Sequence, residues 1–282
     1  METYNTEVMV FGSNGMLGRY LCSLLGRTPN IKVISVKRSD LDLSNLTSTD
    51  LENFFFKKFT HTVTPIKKIV INAAGIINKR PDLGNVDRES IMVNSIFPHL
   101  CNTVCRELSI KMIHITTDCV YDGTLEKDKM YSLNNKHNES DIYGLSKSCG
   151  EPKKCFIIRT SIIGESPNGR SLIEWLKQNK GNIINGYTNH YWNGVTCLEL
   201  SSYIVSCILK NNLEKREERI ASSCSYSKFE ICQIVNEVFD LNLIIEPYET
   251  EISVNRCLEP TYPVIKSLNQ QIREMKDYRI FL

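Results

Sequence analysis

Val8-Met9-Val10-Phe11-Gly12-Ser13-Asn14-Gly15-Met16-Leu17-Gly18-Arg19 is a short apolar run that ends in three glycines spaced G-x-x-G-x-x-G. The run reads as a buried strand, and Leu17, Leu21, Leu24 and Leu25 then repeat at helical spacing. A strand, a glycine turn and a helix N-terminus together make a phosphate site. The helix end offers unpaired N–H groups and a partial positive charge, and glycine lets the backbone approach a pyrophosphate. The stretch therefore marks Gly12, Ser13, Asn14, Gly15, Met16, Leu17 and Gly18 as candidate cofactor-binding residues. A glycine-rich turn that binds nothing is the alternative, because this spacing alone is a weak signal.

Working outward, the second strand is expected at Ile31 to Val36, followed by Lys37-Arg38 and then Asp42-Leu43. In a dinucleotide fold the end of this strand meets the adenosine ribose. An acidic residue there accepts from the 2′-OH, whereas basic residues pair with a 2′-phosphate. Lys37 and Arg38 thus point to NADPH in preference to NADH, unless they are solvated loop charges; Asp42 and Leu43 are placed to touch the adenine. A helix from about Thr47 to Phe59 and a strand from Lys68 to Ala73 follow. Asn72-Ala73-Ala74-Gly75 ends that strand in small residues, which permits close approach by a cofactor at the strand's carboxyl end. Val86 to Leu108 reads as mostly helical, with a kink or restart at Pro98. Asn94 lies just before the break, either to hold backbone or water near a site or to satisfy groups freed at the kink.

A fourth strand, Met112 to Thr116, leads into Thr117-Asp118-Cys119-Val120-Tyr121. The polar loop Thr124 to Ser140 looks mobile; Tyr143 to Lys147 opens a helix, and Phe156 to Arg159 is a strand. Strand and helix alternate to about residue 165, which predicts an α/β, doubly wound parallel sheet. Beyond it, the expected elements are helices at Ser171 to Lys180, Leu198 to Leu209 and Lys228 to Phe239, a strand at Leu241 to Ile245, and an aromatic, amide-rich loop at Asn185 to Thr196. The expected division is a cofactor domain of residues 1–165 with about 196–212, and a smaller C-terminal substrate lobe of 166–195 and 213–282.

Composition narrows the class. In 282 residues, 41% hydrophobic content can bury a substantial core, and a net charge of +2 favours neither nucleic acid nor a membrane surface as partner. No apolar run approaches the ~20 residues that span a bilayer, and Met1 to Glu7 carries no signal-peptide pattern. Eleven cysteines, an odd count without C-x-x-C, fit no metal site and point to a reducing, cytoplasmic setting.

Tyr143 and Lys147 are four residues apart, so on a helix they share a face. A nearby ammonium lowers a tyrosine's pKa, and the pair can then deliver a proton to a carbonyl oxygen as hydride reaches its carbon. Thr117 can donate to the same oxygen; its bland reading is a β-branched strand residue. The order of glycine loop, Asn-Ala-Ala-Gly, Thr and Tyr-x-x-x-Lys is far more specific than any one part.

With these pieces, and with Arg159-Thr160-Ser161-Ile162-Ile163-Gly164, Trp192-Asn193-Gly194-Val195-Thr196 and Asn255-Arg256, the chain resembles the extended short-chain dehydrogenase/reductases. Within them it is most similar to the dTDP-4-dehydrorhamnose reductase-like group, over nearly its whole length. The resemblance implies a Rossmann-type core, NADPH, and reduction of a 4-keto-6-deoxyhexose carried on a nucleoside diphosphate. It implies catalytic Thr117, Tyr143 and Lys147, and adds Asn94 and Ser161 to the cofactor contacts. It implies substrate contacts at Asp118, Thr117, Trp192, Asn193 and Arg256, the last pairing with the diphosphate. It also implies a possible homodimer.

Cys119 departs from the pattern, since reductases specific for dTDP-4-dehydrorhamnose usually have an aromatic residue there. A cysteine at this position is similar to GDP-fucose synthase and the UDP-rhamnose synthases, which epimerise before they reduce. If the segment stays extended, Thr117, Cys119 and Tyr121 face one side. A Cys119 thiolate could then remove a proton beside the C4 ketone, with His190 or Arg170 as the opposing acid; otherwise Cys119 is a small residue that makes room for the sugar. UDP-linked sugars, including 2-acetamido-2,6-dideoxy ones, are the preferred subclass. The rivals are a dTDP-4-dehydrorhamnose reductase, an NAD-recycling epimerase or dehydratase, and a non-catalytic NADP-binding regulatory subunit such as that of methionine adenosyltransferase.

Overall fold

The computed structural model describes residues 4–62, 66–77 and 86–281. At its centre, β1 (Thr6–Phe11) is buried along its whole length and pairs in parallel with β2 (Ile31–Val36) and β3 (Lys67–Asn72). Val8 and Val10 face one apolar core while Met9 and Phe11 face the other, as alternation along a strand covered on both sides requires. The buried carboxylate of Glu7 is met by Lys32 Nζ at 2.7 Å and Thr60 N at 2.8 Å.

α1 (Met16–Gly26) and α2 (Ser48–Lys58) cover opposite faces; Thr47 and Asp50 close α2's first turn as a capping box. After β3 come α3 (Val86–Ser90), a wider π-type run Ile91–Ile96, and α4 (Phe97–Glu107). The restart expected at Pro98 is this change of helical pitch, with Pro98 in α4's first turn where its missing N–H does no harm. β4 (Lys111–Thr117), α5 (Ile142–Cys149) and β5 (Phe156–Thr160) complete the alternating half.

The remainder adds β6 (Ile162–Ile163), α6 (Leu172–Gln178), β7 (Ile183–Tyr187), β8 (His190–Trp192), β9 (Val195–Thr196), α7 (Cys197–Leu209), β10 (Glu217–Ser222), β11 (Tyr226–Ser227), α8 (Lys228–Phe239), β12 (Ile244–Tyr248), β13 (Val254–Asn255), β14 (Tyr262–Val264) and α9 (Leu268–Asp277). The central sheet has seven strands, all parallel, in the order β14-β10-β5-β4-β3-β1-β2. This is the Rossmann-type, doubly wound α/β fold. The order reverses between β1 and β3, so the crevice that such sheets use for ligands opens at the end of β1.

Several expectations change here. β10 and β14 join the central sheet, although their residues fall in the stretch assigned to the second lobe; only the three small sheets lie outside it. The supposed loop from Asn185 contains β7 and β8. Trp192 is buried in the main apolar core. The buried Asn193 amide donates to Leu258 O at 2.8 Å and Ser222 O at 3.5 Å, and accepts from Leu258 N at 2.9 Å. Trp192 and Asn193 thus pack and latch the chain at this point. The loop expected to be mobile is strapped down. Asn255 Nδ2 donates to the carbonyls of Glu126, Lys127 and Lys129, and Tyr131 bonds through its backbone to Cys257 and Glu259.

Because Asn193 joins three backbone groups of two segments, Asn193→Ala is expected to lower unfolding free energy by about 2–3 kcal/mol in urea titration. A variant of unchanged stability would contradict the latching role.

Candidate active site

The glycine loop is shaped by close approach. Gly12 has φ +74°, and a Cβ there would lie 2.8 Å from Ala74 Cα. A Cβ on Gly18 would collide with the Gly12 carbonyl oxygen, so the first and third glycines press α1 against the end of β1. α1 begins after Gly15 with no side-chain cap and no acidic residue in its first turn. Its leading N–H groups are left for an anion.

These elements line a cavity of about 330 Å³. Its walls include Gly12, Asn14 and Gly15 from the loop, Lys37, Arg38, Asp42 and Leu43 after β2, and Ala73, Ala74 and Gly75 after β3. Sequence reasoning missed Leu41, Ile76 and Asn168 on the same walls. Leu41 and Ile76 continue segments already singled out, but nothing in the local sequence ties Asn168 to this place. Arg38 lies 3.2 Å from Glu89 at the exposed rim. Asp42 accepts from the Ser44 backbone and hydroxyl, which hold its carboxyl below the usual range.

Other predicted cofactor residues stand behind the wall. Ser13 Oγ donates to Val36 O at 3.0 Å, while Leu17 and Gly18 are buried in packing and Met16 packs near Gly164. Asn72 is fully buried against His114 and caps Ala74 N. Asn94 grips both backbone groups of Ile76 and the Ser146 hydroxyl, so it clamps the loop after β3.

The chemical cluster forms where β4 ends. Asp118–Val120 is a 3₁₀ turn, which corrects the expected extended segment. Tyr121 consequently leaves this side and stacks on Tyr131 at 4.1 Å, whereas Thr117 and Cys119 stay beside Tyr143. Thr117 Oγ1 donates to Asp118 Oδ1 at 3.0 Å and accepts from Cys119 N at 3.1 Å. Asp141 caps α5 at Gly144 N, and a Cβ on Gly144 would strike the Cys119 carbonyl. Gly144, overlooked in the sequence, thus lets α5 lie directly on the turn and delivers Tyr143 to Thr117.

Burial, reinforced by Cys119, raises the Tyr143 hydroxyl above its ordinary range, against a hydrogen bond with Thr117 that lowers it. The expected lowering of Tyr143 gives way to its burial, and the buried Lys147 ammonium donates to Ile115 O at 2.9 Å. Burial pushes Lys147 down to about 8. Burial likewise raises Asp118, although hydrogen bonds with Thr117 and Ser161 oppose it, so Ser161 reaches Asp118. Burial and then the Asp118 charge push Cys119 up to about 12; its thiol lies 3.6 Å from Asp118 Oδ1.

Arg256 is already engaged, with Glu139 at 2.6 Å and the Tyr121 carbonyl at 2.6 Å. His190 bonds Thr250 at 2.9 Å and packs on Tyr187, while Arg170 is exposed ahead of α6. The groups acting on Cys119 are Thr117, Asp118 and Arg256, with neither His190 nor Arg170 among them. Lys228, at the start of α8, lies 5.8 Å over the Trp192 ring and its charge reaches Asp118 and His190. Two larger clefts, of about 700 and 850 Å³, open where Lys111 begins β4, away from the glycine loop. Among the described residues no His, Cys, Asp and Glu group is arranged to hold a metal, and no helix is long and apolar enough to cross a membrane.

Residues 6–180 match the family model described as the RmlD substrate binding domain. The chain is 32% identical over 143 residues to a dTDP-4-keto-6-deoxy-D-glucose reductase of Streptomyces niveus, covering 51% of this chain and 45% of that protein. It is 28% identical over 174 residues to a dTDP-4-dehydrorhamnose reductase of Aggregatibacter actinomycetemcomitans, covering 55% and 51%. The chain thus spans about half the length of these relatives. Among solved structures, a dTDP-4-dehydrorhamnose reductase of Clostridium acetobutylicum superposes with a TM-score of 0.79 at 18% identity, over 96% of this chain and 99% of that one. The Bacillus anthracis enzyme of that name, in complex with NADP, gives 0.76 at 17% identity over 96% and 99%.

A lysine whose proton is held only to about pH 8 makes the fold less stable below that pH than above it, because the unfolded chain keeps the proton to its ordinary value of 10.5. The stability of the wild type relative to Lys147→Met is therefore expected to rise by about 1.4 kcal/mol per pH unit between about 8 and 10. Urea unfolding at three pH values measures it, and a flat difference would contradict the assignment.

Proposed function

Because the chain belongs to the family of the RmlD substrate binding domain, we propose that it is an NADPH-dependent reductase of the C4 ketone of a nucleotide-linked 4-keto-6-deoxyhexose. The observation that supports this reading is that Tyr143 lies beside Thr117 at the end of β4, with Lys147 one turn further along α5 and bonded to Ile115 O of the same strand. Residues 1–165 with 196–212 would hold the cofactor; 166–195 and 213–282, apart from β10 and β14 in the central sheet, would hold the nucleotide sugar.

The cavity fits the proposed cofactor. Gly12 and Gly18 keep the loop clear of Cβ atoms, α1 presents uncapped N–H groups, and Lys37 and Arg38 stand where a 2′-phosphate would sit. NADPH, when bound, supplies the hydride to C4 of the sugar. Tyr143 gives its proton to the C4 oxygen, and Thr117 holds that oxygen by a hydrogen bond. The Lys147 charge stabilises the phenolate left behind until solvent returns a proton. A tyrosine kept in its phenol form suits reduction, where the residue must arrive carrying the proton. In the substrate lobe, Asp118, Arg256 and the newly found Lys228 frame the sugar diphosphate side, with Arg256 exchanging Glu139 for phosphate on binding.

A second reading adds epimerisation at C3 and favours a UDP-linked sugar. It rests on Cys119, whose thiol shares the cluster with Tyr143 and feels Arg256 as a lowering charge. A thiolate would take the C3 proton, the C4 oxygen would hold the enolate charge, and an acid would return a proton to the other face. Burial and the Asp118 charge, which push the thiol up to about 12, work against it.

The deciding experiment follows NADPH oxidation with dTDP- and UDP-linked 4-keto-6-deoxy sugars in D2O, with NMR of the product. Turnover with a panel member is expected, and Tyr143→Phe is expected to lower kcat by about 10²–10⁴. Deuterium at C3 or C5 would assign epimerase work to this protein, whereas its absence would leave Cys119 as a shape residue. Tight NADPH binding without any turnover would sink the reductase in favour of a regulatory subunit. Arg38→Ala is expected to raise the KM for NADPH about tenfold and leave that for NADH unchanged; equal effects would place the 2′-phosphate elsewhere.

A further inference from the structure

Arg159 and Arg219 are the largest fully buried side chains among the described residues. Each is ion-paired. Arg159 grips Glu151 with two nitrogens, at 2.9 and 2.7 Å, and Glu217 Oε1 takes Arg159 Nε at 3.1 Å and Arg219 Nε at 3.2 Å. Two arginines and two carboxylates balance in charge. Such a network still forfeits much hydration, and well-packed apolar residues of the same volume are often as stable. Its place in the fold therefore needs a reason beyond stability.

That place is the carboxyl end of β4, where three successive residues are held. Lys147 Nζ donates to Ile115 O at 2.9 Å. Thr116 Oγ1 donates to Glu151 Oε1 at 2.8 Å. Arg159 Nη1 donates to Thr117 O at 3.1 Å. Beyond Arg159 the network continues through Arg219 to the Tyr121 hydroxyl at 2.7 Å and the Tyr131 carbonyl, past the turn that carries Cys119. We propose that Glu151 and Arg159 are positioning residues for the reduction proposed above, on which this inference rests: their ion pair fixes the end of β4 so that the Thr117 hydroxyl meets Tyr143 in one geometry, and Glu151, held on Thr116 next to the Ile115 carbonyl that Lys147 binds, supplies the counter-charge that keeps Lys147 ionised.

The groups around Lys147 agree. Glu151 follows on from its own helix and favours its charged form, while Arg159 on β5 opposes it. His114 on β4 is held far below its usual range by burial and then by Lys147, so it stays neutral and offers no counter-charge. Tyr143, one turn back on α5, is held as the phenol. Glu151 is thus the group that favours the ammonium against both burial and Arg159.

Glu151→Gln keeps the side chain's size but removes its charge. The basic limb of the kcat/KM profile is expected to move to lower pH by about one unit, with KM for the sugar unchanged and Glu151→Asp restoring most of the shift. A second readout needs no substrate: ¹⁵N NMR of labelled lysine should show the Lys147 titration midpoint lower in Glu151→Gln than in wild type. The same limb and the same midpoint in both proteins would overturn the proposal. A wild type that turns over no sugar would defeat the reductase reading alone, because the NMR midpoint still tests the counter-charge. Should Glu151→Gln fail to fold, Thr116→Val removes only the hydroxyl bond to Glu151. It is expected to lower kcat severalfold at constant KM; unchanged kcat would overturn the clamp.

Discussion

The architecture depends on one steric constraint, the passage of the chain at Gly12. The residue leaves β1 in a left-handed conformation, with the backbone of Ala74 on one side and that of Gly18 closing from the other. No side chain fits between them. Because that gap is filled by backbone alone, α1 starts at the edge of the sheet rather than a turn later, and its first N–H groups face the crevice. Ser13 then ties the loop to the last carbonyl of β2. The ends of β1, β2 and β3 are thereby joined into one wall, and the cavity follows from their divergence at the switch point.

A second constraint acts at β4, and it is electrostatic. The end of this strand carries Thr117 beside Tyr143, and all of its residues after Lys111 are buried. Gly144 lets α5 close on the turn, and Lys147, Glu151 and Arg159 each reach β4 from a different position. Apolar packing resists compression but is indifferent to small rotations. Directional bonds from fixed ions to particular carbonyls are not, which is what a hydrogen bond to a ketone oxygen demands.

What was legible in the sequence was whatever depends on neighbours in the chain. The glycine loop, the alternation of strand and helix, the Tyr143–Lys147 spacing and the helix at Leu198 to Leu209 all follow from local spacing. The misreadings share another cause. Asn193 sits in an aromatic, amide-rich stretch that looks like a loop, but the partners that hold its amide come from Leu258 and Ser222, far along the chain. The polar segment after Thr124 contains little that would order it locally; Asn255 does so from more than a hundred residues away. The 3₁₀ turn at Asp118 was hidden because Thr117 caps it with its own hydroxyl, and a β-branched residue at a strand end gives no sign of doing so. Asn168 and Lys228 reach the site only through tertiary placement.

The order of proton affinities around the site carries the last step. In water a tyrosine and a lysine hold protons about equally well. Here burial splits them: Tyr143 moves up and Lys147 moves down. Desolvation alone explains both signs, because it penalises the anion of one and the cation of the other. The result is a donor that keeps its proton until a negative charge grows on a neighbouring oxygen, beside a cation that burial makes ready to respond to that charge. Hydride arriving at a ketone creates such an oxygen. Under the reading proposed above, a Tyr143 kept as the phenol already carries the proton that such an oxygen would take.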